Sequence, residues 1–305
     1  MNLKVLLNGE DITKSFDMNE CNLYDRLGGF LDNVRILFPY KNGITFNKHD
    51  EISITVDKYS TGAMYITGCN GVEKNSKCLI KAVSCKATSR NRKSRIFTNI
   101  TLHQLVSSIA DELNLEVSLY DVVSYSYKSV CQMNETDLQF LNRICQREGY
   151  SVKISDGKLI VFNDFSLEHN YEPFKLKKED VTASSFARAE NGLRSMVVRH
   201  FLVDTGELIS YSATDESFDG GSETVLEYLS TIDEAERFAN GYLRAKNKNA
   251  LTGVLTTQLN TDLSAGTLIE LEDFEDYDGR YIIYEIRHDI VSKKSHFSIR
   301  KTLDY

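Results

Sequence analysis

The sequence predicts an α+β protein that is mainly β, with two β-rich units, the first a barrel or sandwich, on either side of a compact helix-hairpin insert. Three observations predict it. Short apolar-polar alternations separated by turn residues fill residues 1–95. The same period of two returns from about Val181 to the end. Between them the period switches to helical, twice, and then to a tight hairpin. The expected division is 1–95, 96–165 and 166–305, the last unit carrying one helix at about 231–248. A chain of 305 residues is long enough for two or three such units.

In the first unit, Lys4–Leu7 reads as a strand and Asn8-Gly9 as a turn. A polar stretch containing Gly28-Gly29 follows, then a strand from Asn33 to Phe38 that Pro39 ends. Glu51–Lys58 places Ile52, Ile54 and Val56 on one face. Ala63–Gly68 and Cys78–Lys86 repeat the pattern. Lys86–Arg95 is a basic, polar run, expected to be a loop between domains.

The insert opens on Thr101-Leu-His-Gln104, a capping-box pattern, followed by a stripe of Leu102, Leu105, Val106, Ile109, Ala110 and Leu113, with Asn114 as the stop. His103 falls off that stripe and is expected to be exposed. After a short strand ending at Val130, Asn134 is the expected cap of a second helix, with Asp137 three residues on. Leu138, Leu141, Ile144 and Cys145 make its apolar face, and Gly149 suits a left-handed stop. Val152 and Ile154, then Asp156-Gly157, then Leu159 and Val161 read as a hairpin, because both turn residues tolerate positive φ.

Residues 163–180 are polar, include Pro173 and make the second boundary. Ser195–Val203 and Leu208–Tyr211 are strands around Asp204-Thr-Gly206. Thr231 begins a helix with Glu234 three residues on and Ala235, Phe238, Ala239, Tyr242 and Leu243 on one face. Strands at Ala250–Leu259, Thr267–Leu271 and Arg280–Val291 follow, and a hairpin through Lys293-Lys294 closes the chain.

Composition excludes several classes. No apolar run reaches the roughly 18 residues of a membrane span, and the N-terminus has no signal-peptide pattern. Six cysteines without a C-x-x-C pair read as reduced, mostly buried thiols rather than a zinc site. The net charge is −8 but uneven: residues 1–100 carry 15 basic and 10 acidic side chains, and residues 201–305 carry 10 and 20. An acidic chain argues against sequence-specific nucleic-acid binding. The split suits self-assembly in which the basic end of one copy meets the acidic end of another.

Catalytic patterns are missing. The sequence has no H-E-x-x-H, G-x-S-x-G, phosphate loop or G-x-G-x-x-G. His288-Asp289 sits in a strand, where neighbours face opposite ways. The acidic run Glu270, Glu272, Asp273, Glu275, Asp276 and Asp278 invites calcium or a carboxylate pair. It lacks the calcium-loop pattern and reads as a hairpin loop, solvated or at an interface. No catalytic residue, metal ligand or cofactor site is therefore assigned.

Gln132, Asp137, Leu138, Phe140, Leu141, Arg143, Ile144, Glu148, Gly149, Tyr150 and the hairpin after them resemble a known family, the tail hub proteins of bacteriophages and related contractile particles, which include the phage late control gene D proteins. The strands EISITVDK, MYITG and LIKAVSCKA, the A-x-x-x-A-x-x-Y-L helix type, Leu263–Gly266 and G-R-Y-I-I extend the resemblance over most of the chain. It implies two tail-tube-like barrels per chain. It also implies a homotrimeric ring that adapts a hexameric tail tube to a three-fold central spike and lines an ejection channel. The implied partners are the tail tube, central spike, other baseplate proteins and a tape-measure protein. The implied location is the tail of a phage or phage-like particle assembled in the bacterial host cytoplasm. In such a ring the candidate contact between copies runs from Arg90, Arg92, Lys93 and Arg95 to Glu270, Glu272, Asp273, Glu275, Asp276 and Asp278. The alternative is a peptidoglycan- or glycan-active tail-tip protein, which the absence of Trp weakens.

Overall fold

The structure, a computed structural model, describes residues 2–15, 18–39, 45–72, 77–86, 91–189 and 192–305. The first segment supplies β1 (Leu3–Leu7), β2 (Glu10–Asp11), β3 (Glu20–Arg26), β4 (Asn33–Pro39), β5 (Glu51–Val56), β6 (Tyr59–Ser60), β7 (Met64–Val72) and β8 (Lys77–Val83). The middle segment supplies β9 (Arg92–Thr101), α1 (Leu102–Leu113), β10 (Glu116–Tyr120), β11 (Ser126–Thr136), α2 (Asp137–Arg147), β12 (Tyr150–Ser155), β13 (Lys158–Asn163) and α3 (Asp164–His169). The last supplies β14 (Phe174–Lys177), β15 (Val181–Arg188), β16 (Ser195–Leu202), β17 (Glu207–Thr214), β18 (Ser222–Leu226), α4 (Ile232–Asn247), β19 (Leu251–Gln258), β20 (Leu268–Glu272), β21 (Gly279–Asp289) and β22 (Lys294–Lys301). The fold is mainly β, as the alternation requires.

One sheet runs through both ends of the chain. Its order is β15-β19-β22-β21-β3-β4-β8-β7-β5-β1-β2, with β14 and β20 beside β21. The pairing of β21 with β3, from Glu285 opposite Arg26 to Asp289 opposite Asn22, joins the two halves. Beneath the N-terminal half lies a core of Val5, Leu23, Ile36, Ile54, Ile66 and Ile80 among others. A second core, including Leu255, Ile269, Tyr281, Ile286 and Phe297, lies under the C-terminal half. Alternation explains both: each strand sends every second side chain down.

A third core belongs to the insert. It collects the stripes of α1 and α2, the hairpin β12–β13 and the ribbon β9–β11. Met196, Val198 and Ala213 of the small sheet β17-β16-β18 join it, as do Ala235, Phe238, Ala239 and Leu243 of α4. Residues 166–305 therefore feed several cores: those of the C-terminal half and of the insert, the N-terminal one through Ile290, and a small cluster of Ala265, Leu268 and Ile282 with Leu27 and Phe162. Where α4 crosses α2, a Cβ on Gly241 would come 2.1 Å from the Arg147 carbonyl oxygen, so the two backbones touch without a side chain between them.

The local signals at the ends of the elements hold with one correction. Thr101 and Gln104 form the expected reciprocal capping box, and Thr231 accepts from the Glu234 amide. Asp156 and Gly157 have φ of 49° and 70°, as the hairpin turn requires. The cap of α2, however, is Thr136 boxed with Gln139. Asn134 instead lies inside β11 at φ 51°, next to a shift in the β9–β11 register.

Four elements lie where the sequence reads as polar connection. The basic run enters a strand, β9, rather than a loop. Residues 163–180 contain α3 and β14. The stretch before Gly28-Gly29 contains β3, the strand at the seam of the sheet. Four cysteines are buried and two, Cys69 and Cys131, are exposed, all as free thiols. Among the described residues no helix is long and apolar enough to cross a membrane.

Candidate assembly interface

The main sheet has one face in the cores and one outside them. On β3 and β4, Cys21, Leu23, Val34 and Ile36 point down. Glu20, Tyr24, Arg26, Asn33 and Arg35 therefore lie on the other face. Lys81 of β8 stands opposite Arg35. Across the seam the same face carries Glu285 and Arg287 of β21, then His296 and Ser298 of β22, then Val254 and Thr256 of β19. Ala183 and Ser185 of β15 complete it. The outward face is thus polar, with mixed charge over its N-terminal half and small or neutral side chains toward β15.

Two ion pairs lie on this face. Arg26 Nε is 3.1 Å from Glu285 Oε2 and bridges the seam. Arg35 Nε is 3.9 Å from Glu20 Oε2. Half-exposed pairs of this type contribute about 0–1 kcal/mol each, so backbone pairing, not charge, holds the seam. Burial, and then the neighbouring Arg287, pull the His296 imidazole below its ordinary value, which leaves a neutral ring against Thr256.

Among the described residues the sheet does not close on itself: β15 pairs only with β19, and β14 only with β20. Both present an open edge, and the far end finishes in the two-residue β2. Edge strands with free backbone groups are the usual place for another chain to add on.

The basic residues singled out from the sequence are spoken for inside the chain. Arg90 lies outside the described residues. Arg92 donates to the Asn134 carbonyl at 2.7 Å. Lys93 Nζ is 2.6 Å from both Glu112 and Asp137. Arg95 reaches Glu112 at 2.5 Å, Asp137 at 3.0 Å and Gln132 at 2.8 Å. Partial burial works against the Lys93 ammonium, but the hydrogen bonds it donates to Asp137 and Glu112 outweigh it and raise its pKa. Burial likewise opposes the Glu112 carboxylate, and Arg95 and Lys93 overcome it, holding its pKa low. Asp137, with its side chain 1% exposed, is the hub of this network and fixes the start of α2 on the β9–β11 ribbon.

The acidic residues sit elsewhere. Glu270 and Glu272 are on β20, where Lys175 of β14 lies 2.9 Å from Glu272 and 4.0 Å from Glu270. Asp273, Glu275, Asp276 and Asp278 form the turn beyond it. Asp273 and Glu275 adopt positive φ, and Asp278 accepts from the Phe274 amide at 2.6 Å. Among the described residues the structure joins no member of the basic set to a member of the acidic set within the chain. Sequence reasoning missed the internal partners Glu112 and Asp137, which helix spacing alone does not point at β9.

The comparisons with known proteins follow this geometry. The sequence profile of the phage tail baseplate hub (GPD) family matches residues 84–294. A search of curated proteins gives no match. The fold is similar to the 43 kDa tail protein of prophage MuSo2 from Shewanella oneidensis: 13% identity, 98% of each chain covered, TM-score 0.76. It is similar to the tail protein from Neisseria meningitidis MC58: 11% identity, 98% of this chain and 96% of that chain, TM-score 0.78. It is also similar to an E. coli component of the type VI secretion system described as resembling T4 bacteriophage tail proteins: 12% identity, 98% of this chain and 77% of that chain, TM-score 0.65. At these identities the likeness is one of fold.

Proposed function

We propose a structural role that proceeds from one premise: the chain belongs to the phage tail baseplate hub family, whose profile spans residues 84–294. That family is structural, so the chain is a tail component and not an enzyme. Its neighbours in fold are tail proteins and a type VI secretion component described as similar to T4 bacteriophage tail proteins.

We infer further that three copies form a ring. Each copy would contribute two tube-like barrels, 1–95 and part of 166–305, with the insert outside them. The single observation that carries this reading is the β21–β3 seam. It fuses β15-β19-β22-β21 and β3-β4-β8-β7, four strands from each half, into one continuous surface with an open edge at β15. Two similar halves per chain, repeated three times, would present six quasi-equivalent units to a hexameric tail tube above and a three-fold spike below. A closed ring needs heterologous contacts, which unlike edges supply.

In this reading the polar outward face of the sheet lines the ejection channel, and the cores face away from it. Tail tube, central spike, tape-measure and other baseplate proteins are the partners. The contact between neighbouring copies runs from the basic stretch at Arg90, Arg92, Lys93 and Arg95 to the acidic turn at 270–278. Arg92 and Asp273, Glu275 and Asp276 carry most of it, since Lys93 and Arg95 already hold Glu112 and Asp137. Cryo-electron microscopy of the intact particle tests the ring: three copies around the tail axis are expected, and six copies or an off-axis position would overturn it.

A further inference from the structure

The insert meets the main sheet over a buried group of charges that the hub role does not use. Asp25 of β3, Asp32 in the turn before β4 and Lys153 of β12 are 2%, 4% and 8% exposed. Lys153 Nζ lies 2.5 Å from Asp25 Oδ1 and donates to the Ala265 carbonyl at 3.1 Å. The Ala265 amide donates to Asp25 Oδ2 at 3.0 Å. Asp32 Oδ1 accepts from the Arg26 amide at 2.9 Å. Lys153 and the Ala265 backbone thus hold Asp25 directly, and Asp32 lies beside the pair, where it feels the charge of both Asp25 and Lys153.

Among the described residues the surroundings do not supply a second positive charge. Burial pulls the His288 imidazole of β21 below its ordinary value. Its Nε2 donates to the Leu263 carbonyl at 3.2 Å, and its Nδ1 faces the Ser295 hydroxyl at 2.9 Å. Tyr59, whose ring packs edge-on against His288, is pushed well up by burial and then by Asp25 and Asp32, so it stays a neutral phenol. Arg26 follows Asp25 in the strand, points to the opposite face and is taken by Glu285. Ser155 of β12 offers Asp32 a hydroxyl, not a charge.

One buried ammonium cannot offset two buried carboxylates. We propose that Asp25, Asp32 and Lys153 form a proton-controlled latch, which holds the insert on the sheet while Asp32 keeps its proton and loosens when both carboxyl groups are ionised. The contacts it guards are specific. Gly28 and Gly29 donate to the Val152 carbonyl at 3.0 and 3.1 Å, and Leu31 bridges Ile154. Gly29 sits so close to α2 that a Cβ there would meet Asn142 Cβ at 2.9 Å. Solvent reaches the Lys153 side of the cluster. A cavity of about 290 Å3 is lined by Lys153, Ala265, Ile160 and Phe162 and rimmed by the half-exposed Tyr120 and Tyr171.

The direction follows from the cluster. Burial, and then the Asp25 charge, push the Asp32 carboxyl well above the ordinary carboxylate range, with Lys153 pulling the other way. A carboxyl raised in the folded state contributes its full stability below its unfolded value and loses it as pH rises through the folded value. The latch therefore closes in acid and opens toward alkaline pH. It stands whether or not three copies form a ring.

Amide hydrogen exchange on the full chain, corrected for the intrinsic pH dependence of exchange, tests it. In the wild type, the opening constant of the Gly28 and Gly29 amides is expected to rise by up to tenfold per pH unit between the ordinary carboxylate range and the raised Asp32 titration, and to level off above it. The amides of β16 and β17 should not follow. In Asp32→Asn, which keeps the acceptor for the Arg26 amide, the rise should vanish. A flat wild-type profile, or a slope that survives in Asp32→Asn, overturns the latch. Should the variant fail to fold, the carboxyl 13C titration of wild-type Asp32 decides, and a midpoint in the ordinary carboxylate range counts against the proposal.

Discussion

Gly241 shows how a single residue's contacts reverse a textual expectation about propensity. A glycine inside a helix ordinarily costs about 1 kcal/mol relative to alanine. Here the added methyl would land 2.1 Å from the Arg147 carbonyl oxygen, a backbone atom that cannot rotate away. Gly241→Ala should therefore destabilise the protein, by about 2 kcal/mol, the usual range for overpacking. Urea unfolding measures it, and a more stable variant would mean that α4 stands off α2. Around this contact Arg147 lies over the rings of Tyr127 and Phe238 and pairs with Glu227 at 3.5 Å. Glu148, its side chain fully buried, pairs with Arg237 at 3.1 Å and accepts from Tyr127 at 2.7 Å. These partners come from distant parts of the chain, so the sequence displays the charges without their pairing.

At the scale of elements, the start of α2 separates a local signal from a neighbouring decoy. Asn134, Thr136 and Asp137 all have cap chemistry, and only one can sit at the junction. The structure selects Thr136, whose hydroxyl accepts from the Gln139 amide while the Gln139 side chain returns to the Thr136 amide. Thr136→Ala should cost about 1 kcal/mol. Asn134→Gly, at positive φ in β11, should cost little or stabilise. Thermal unfolding of the two variants checks the order, and the reverse order would restore Asn134 as the cap. Likewise β9 was legible as a basic run but not as a strand. Its charges face Glu112 of α1 and Asp137 of α2, and so belong to the packing of the insert as well as to its surface.

For the whole molecule, the proposed ring and the internal network make opposite demands on neighbouring residues. Arg92→Glu should weaken association between copies and do so more at low salt than at high salt, while leaving the unfolding of the isolated chain within about 0.5 kcal/mol of wild type. Lys93→Glu faces the buried Asp137 and should destabilise the fold itself, by about 3 kcal/mol or more, because it leaves a buried carboxylate against a like charge. Sedimentation and unfolding measured on both variants separate the two roles. Equal effects of both on assembly, with no loss of fold stability, would mean that the Lys93 pair forms between copies rather than within one. The β21–β3 seam links residues about 260 apart in sequence, so folding must close a very long loop before the sheet is continuous.

The sequence by itself determined what depends on near neighbours: the period of each strand and helix, the caps at Thr101 and Thr231, the Asp156-Gly157 turn and the family to which the chain belongs. These follow from steric and hydrogen-bonding rules that act over a few residues. Only the tertiary structure decided the joins. β3 was hidden because a polar Asp25 occupies one of its core-facing positions, and that residue is tolerable there only with Lys153 brought in from the insert. The same holds for α4, whose apolar face is plain in the sequence but whose partner, α2, comes from a segment about 90 residues earlier. A side chain's pattern tells which face is buried; what buries it is set by distant chain segments, and only folding brings those together.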